Sequence, residues 1–172
     1  MHFITFGFNF VVMLNSVLST IKKAALVLTI IFAVWVNYCF KYSFNEQDWL
    51  TWTNRCLSES YDPSGDANLK KWELNLTNDY FIRLRKTYQR GKQDYYSFNL
   101  HQLNNMDYLG GTNSGILQLK TVADDIIVQT YNDRHGDVDS MATVLNIPVK
   151  NMGPERLDSL QEALNYFKGK GL

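Results

Sequence analysis

An α+β domain behind a short apolar segment is the architecture this sequence predicts, and three observations predict it. Ala24 to Phe40 runs without a charge, between Lys22-Lys23 and Lys41. From Lys71 onward apolar residues recur at every second position, the period of half-buried strands. Near the C-terminus Leu157, Leu160, Leu164 and Phe167 share one face of a helix. A run of strands followed by a helix gives about five antiparallel strands packed by that helix. The expected division is an apolar segment over 1–44 and a domain over 45–172.

At about 1.5 Å of rise per residue, Ala24–Phe40 makes a helix of roughly 25 Å, the short end of what spans a bilayer. A cleaved signal needs small residues after its apolar core. Here Trp35, Tyr38, Phe40 and Tyr42 stand instead, and such rings suit the headgroup level. Cys39 follows Val36-Asn37-Tyr38, a poor context for lipoprotein processing. An uncleaved anchor is therefore the expectation, ahead of a cleaved signal or a buried helix of a soluble protein. Two lysines before the run against one after it place the N-terminus inside and 45–172 on the exported side, periplasmic or extracellular. The preceding MHFITFGFNFVVMLNSVLST is apolar but interrupted by Gly7, Asn9 and Asn15. Initiation at Met13 would give a signal-anchor of ordinary form; an interfacial segment is the alternative.

The chain balances 17 basic against 17 acidic residues, and no acid precedes Glu46. Setting aside Lys22, Lys23 and Lys41 leaves 14 basic against 17 acidic in 45–172, a net of −3. That balance argues against a dedicated nucleic-acid binder, whose affinity rests on phosphate neutralisation. Cys56 is the one cysteine beyond Cys39, so 45–172 holds no internal disulfide and Cys56 is expected to be a small packing residue.

Taking the domain in order, Asn45 caps a helix with Glu46 and Asp48 in its first turn. Trp49, Trp52 and Cys56 lie on one face of it, either at a membrane interface or against the core. Tyr61-Asp-Pro-Ser-Gly-Asp66 is a turn. Trp72, Leu74 and Leu76 alternate with Glu73, Asn75 and Thr77 in a first strand. Tyr80, Ile82 and Leu84 alternate with Phe81, Arg83 and Arg85 in a second. Gly91-Lys92-Gln93 turns into a third, with Tyr96, Phe98 and Leu100 on one side. Asn104 to Gly115 reads as a polar, glycine-bearing loop. Ile116–Val122 and Ile126–Tyr131 are two further β-rich runs joined tightly through Ala123-Asp124-Asp125, and Ala142–Val149 is a weak last strand. Pro154 behind Gly153 opens the C-terminal helix, and Lys168 and Lys170 suit its negative end.

No arrangement of catalytic type stands out. Asp124, Asp125 and the loop Asn132–Asp139 concentrate carboxylates, but Gly136 precedes Asp137 and Asp139 and no terminal Glu follows, so a solvated turn is expected and no metal or cofactor. Ser114 lies in Gly-Gly-Thr-Asn-Ser-Gly, which lacks both the G-x-S-x-G elbow and a P-loop lysine. His101 and His135 are the histidines available to a hydrolase, the second of three functional possibilities. The first is a membrane-anchored envelope protein whose domain binds a protein or envelope component without catalysis. The third is a soluble β-rich ligand binder with Ala24–Phe40 in its core. For the first, the hairpin Tyr80–Tyr96 supplies the candidate surface: cations interleave with rings, and Arg83, Arg85, Tyr88 and Tyr95 are its candidate binding residues. Anionic headgroups or an acidic partner suit such a surface, and export sets nucleic acid aside.

Overall fold

The computed structural model describes residues 45–170. The expected anchor Ala24–Phe40 lies outside them; among the described residues no helix is long and apolar enough to cross a membrane. Helix α1 (Glu46–Ser60) is followed by a 3-10 turn at Pro63–Gly65 and three strands, β1 (Leu69–Leu76), β2 (Phe81–Tyr88) and β3 (Gln93–Asn99). A second 3-10 turn, Leu100–Gln102, leads into β4 (Leu103–Gly110), β5 (Ser114–Thr121), β6 (Ile126–Tyr131), β7 (Asp139–Ala142) and β8 (Val144–Lys150). Helix α2 (Pro154–Lys168) closes the order.

The α+β class holds, but the single sheet of about five strands does not. Eight strands form two antiparallel sheets, β1-β2-β3-β6-β7 and β4-β5-β8. The first two strands obey their period: Leu74, Leu76, Ile82 and Leu84 are buried, and Glu73, Asn75, Arg83 and Arg85 are exposed. Those inward residues join Phe98 and Ile126 in one buried cluster. The smaller sheet contributes Leu117, Leu119, Leu145 and Ile147 to the same cluster. The larger sheet therefore buries its apolar side within a core that both sheets share, and the C-terminal helix alone does not cover it. Val122–Asp125 carries the chain from one sheet to the other, so the tight connection expected there is a corner. Buried Thr121 fixes it, its hydroxyl donating to the Ala123 carbonyl at 2.7 Å.

Strand β4 occupies most of what reads as a loop. Its Tyr108 ring covers Gly115 on β5, where a Cβ would run into the ring, and a Cβ on the opposing Gly110 would come within 2.5 Å of the Gly115 Cα. The glycines of that stretch are strand residues admitting a close approach, and the turn itself is Gly111–Asn113.

Both helices follow their sequence signals. Asn45 and Asp48 form a reciprocal capping box on α1, and Pro154 opens α2 behind Gly153. On α1 the buried stripe is Leu50, Thr53, Cys56, Leu57 and Ser60. Trp49 and Trp52 flank that stripe and pack on the domain, Trp49 stacking on Tyr166 of α2 at 6.1 Å between ring centres. Packing on the core, one of the two placements open to the tryptophans, is seen for both, each of them partly buried. The Asn54 amide holds α1 to β1, donating to the Leu76 carbonyl at 2.9 Å and accepting from its N–H at 2.7 Å. Leu160, Ala163, Leu164 and Phe167 of α2 are fully buried. This helix packs beside α1 and over the turn Leu100–Gln102.

Candidate functional site

The four candidate residues do not form one surface. Side chains alternate along β2, so Phe81, Arg83 and Arg85 point to its outer side while Ile82, Leu84, Lys86 and Tyr88 point to the other. Register places Arg85 opposite Tyr95 of β3, and the guanidinium lies 5.6 Å from that ring centre. Arg83 sits 5.6 Å over Phe81. On the same outer side β6 and β7 add Gln129, Tyr131 and Met141, the last two among the most exposed large apolar side chains. Neither guanidinium joins an ion pair among the described residues. Arg83, Arg85 and Tyr95 thus belong to one open cationic and aromatic face.

Tyr88 belongs to a polar system on the other side of the sheet. Its hydroxyl donates to Asp94 at 2.9 Å. A matching arrangement lies beside it: Tyr61, 1% exposed, donates to Asp66 at 2.8 Å. Asp66 is also paired with Lys86 at 2.8 Å, and the Lys86 ammonium lies 5.9 Å from the Tyr61 ring centre. The Tyr61 ring in turn rests on Trp72 at 4.4 Å, and its backbone bridges to Val149 of the smaller sheet. Lys92 bonds Asp133 at 2.8 Å and stands 3.4 Å from Asp94 Oδ1, a buried oxygen without a formed hydrogen bond. The sequence reading missed this system because its members are far apart in the chain. Lys86 sitting on the apolar side of the β2 alternation was the one available signal.

Burial first, and the neighbouring carboxylate second, push both the Tyr61 and the Tyr88 phenol well above the ordinary tyrosine range. The folded chain therefore keeps protons that the unfolded chain releases near pH 10. Stability from these groups is complete below that pH and falls as pH rises through it. We expect the urea midpoint to drop steeply above about pH 10, with the phenolate absorbance of Tyr61 and Tyr88 appearing only on unfolding. Tyr88→Phe should flatten the drop. Ionisation of all ten tyrosines in the folded protein at the ordinary value would contradict the assignment.

The histidines stand elsewhere. His101 lies in the turn under α2 and His135 in the β6–β7 loop, each with its backbone N–H bonded to an Asx side chain, Asn99 and Asp133. Among the described residues no hydrogen bond joins either imidazole to a serine or aspartate. The carboxylates of that loop serve the loop itself: Asp133 accepts from His135 N–H at 3.0 Å and from Lys92, Asp137 accepts from Asp133 N–H at 2.9 Å, and Asp139 accepts from Gln129 at 3.1 Å. The His135 bond and then Lys92 hold the Asp133 carboxyl below its usual range. Among the described residues no group of His, Cys, Asp and Glu is arranged to hold a metal.

A third region lies between the helices. Arg156 of α2 donates to the Sγ of buried Cys56 at 3.3 Å and pairs with Glu59 at 2.8 Å, tying α2 to α1. Cys56 is thus a packing residue with a cation above it. No protein-family model, curated protein or solved structure matches the chain.

Proposed function

We propose that the chain is a membrane-anchored envelope protein whose domain 45–172 binds a partner without catalysing a reaction. In this reading Ala24–Phe40 is the anchor, and the domain lies on the exported side. The observation that supports the binding surface is the open outer side of the larger sheet. There Arg83 and Arg85 lie against Phe81 and Tyr95; neither joins an ion pair among the described residues, and Glu73 stands opposite Arg85 across the β1–β2 register. Cations stacked on rings, beside exposed Tyr131 and Met141, suit an acidic partner: arginine and tyrosine are the types that dominate interface energy. The partner is a protein or envelope component, and nucleic acid is not expected.

Two measurements on the full chain test this. After carbonate washing the chain should remain with membranes, and protease added from the exported side should remove 45–172; a soluble full-length product would overturn the anchor. In the same cells, cross-linking should capture a partner. Arg83→Ala with Arg85→Ala should reduce that capture by about thirtyfold or more, as the loss of two interface arginines each worth more than about 1 kcal/mol implies. Both side chains are exposed, so folding stability should move by less than about 0.5 kcal/mol. Undiminished capture would remove this surface from consideration.

A further inference from the structure

Three separate stretches of chain meet at one end of the larger sheet and enclose a cleft of about 430 Å³. They are Ala67–Asn68 ahead of β1, the β2–β3 hairpin with Tyr88, Arg90 and Lys92, and the β6–β7 loop with Asn132, Asp133, Arg134 and His135. Hydrogen bonds join them in pairs. Gln89 N–H donates to the Asn68 carbonyl at 2.9 Å, and the Asn132 amide reaches the Gly91 carbonyl at 3.5 Å. Lys92 on the hairpin bonds Asp133 on the loop. Asn68 and Asn132, at φ of 62° and 56°, hold the left-handed turns that bring the walls together. The cleft is therefore built before any ligand arrives.

Its charge is one-sided. Arg90, Lys92 and Arg134 line it with one carboxylate, Asp133, which already accepts from Lys92 and from the His135 N–H; Lys92 is also paired with Asp94 at 3.4 Å, so the uncommitted charge is that of Arg90 and Arg134. Arg90 and Arg134 join no ion pair among the described residues. In a domain whose overall charge is slightly negative, this is a local concentration of positive charge, and one engaged carboxylate is too few for a cation site. With Lys92 held by Asp133 and Asp94, the two guanidinium forks are left without an ion-pair partner among the described residues, and the oxygens of a phosphate can take both forks together. The Tyr88 ring, with Lys92 5.9 Å from its centre, gives a flat wall for the remainder of a ligand. The volume lies in the range of small-molecule sites.

We infer that the cleft between the β2–β3 hairpin and the β6–β7 loop is a binding site for a small phosphate monoester. It is distinct from the outer side of the sheet, so it stands or falls apart from the partner-binding reading.

The test is an amide chemical-shift titration of the full chain with inorganic phosphate and with glycerol phosphate, at physiological salt. We expect saturating shifts at Asn68, Arg90 and Arg134, with glycerol phosphate binding the tighter. Arg90→Gln with Arg134→Gln should weaken binding by at least about tenfold, the loss of two charge-assisted contacts. Both side chains are exposed and free of ion pairs, so an unchanged melting temperature is expected. His135→Ala provides a second, smaller decrease should the double variant be unstable. Lys150→Gln with Lys168→Gln, on the smaller sheet and on α2, should change nothing. Shifts that never saturate, succinate binding as tightly as phosphate, or equal losses in the remote variant would each overturn the assignment. Binding to phospholipid vesicles but to neither soluble phosphate would overturn it too, in favour of a headgroup surface.

Discussion

Replacing Asp66 by alanine should cost about 2–4 kcal/mol, near the range found when one partner of a buried ion pair is removed, because the pair is mostly shielded from water and serves two groups. Asp66 serves two groups at once, accepting from Tyr61 at 2.8 Å and pairing with Lys86 at 2.8 Å. The side chains of Lys86 and Asp66 are only 12% and 18% exposed. Without the carboxylate the ammonium is left on the inner side of the sheet with the Tyr61 ring beneath it, and a buried phenol loses its acceptor. The coupling is testable by a double-mutant cycle in urea denaturation. Lys86→Met in the Asp66→Ala background should restore part of the loss, because it removes the stranded charge and keeps the apolar stem. Asp66→Asn should be milder than Asp66→Ala, since the amide still accepts from Tyr61. A cost under about 1 kcal/mol for Asp66→Ala would mean that water reaches the pair freely and that it behaves as a surface bridge.

The location of this pair explains its consequence for function. Tyr61 bridges to β8 of the smaller sheet, stacks on Trp72 of β1 and lies under Lys86 of β2. Directly along the hairpin, Tyr88, Asp94 and Lys92 continue the same polar system to the cleft wall. Loss of Asp66 should therefore loosen the join between the sheets and, through Lys92, the proposed phosphate site. The outer side, held by the β2–β3 register, should change least.

What the sequence revealed follows from how local each signal is. Strand β1 was legible because Trp72, Leu74 and Leu76 face one way and their neighbours are polar. Helix α2 was legible because cap, stripe and charges agreed. Strand β4 was not, because a register shift between Leu103 and Asn105 breaks its alternation: the inward residues Leu103, Met106 and Tyr108 are unevenly spaced. Strand β7 is a four-residue edge with little to bury. The second sheet could not be read at all, since nothing in β4, β5 or β8 states which strands they avoid. On the candidate site, the β2 alternation was enough to place Arg83 and Arg85 outward. Counting on by twos would have put Tyr88 with Leu84 and Lys86, away from them. The cleft needed three distant segments to be brought together, which takes the pairing of β1 with β2 and of β3 with β6.

The second large effect is expected at Phe167, where alanine should destabilise the domain by about 3–5 kcal/mol. The ring is fully buried and meets Tyr80 at 5.9 Å and Tyr166 at 5.2 Å between centres. Tyr80 sits at φ 60° just ahead of β2, and Tyr166 carries the stack onto Trp49 of α1. One side chain thus joins the end of α2 to the entry of β2 and, through its neighbour, to α1. Phe167→Leu keeps most of the volume and should cost under about 1.5 kcal/mol. The contrast between the two substitutions separates packing from mere hydrophobicity, and both are read from urea midpoints at constant slope. If Phe167→Ala instead left the global midpoint unchanged while protease cut early within α2, the helix would be a separately opening unit. The two sheets would then have to be stable without it. That outcome conflicts with the complete burial of Leu160, Ala163 and Leu164 on the same face, so cooperative loss is the result the packing requires.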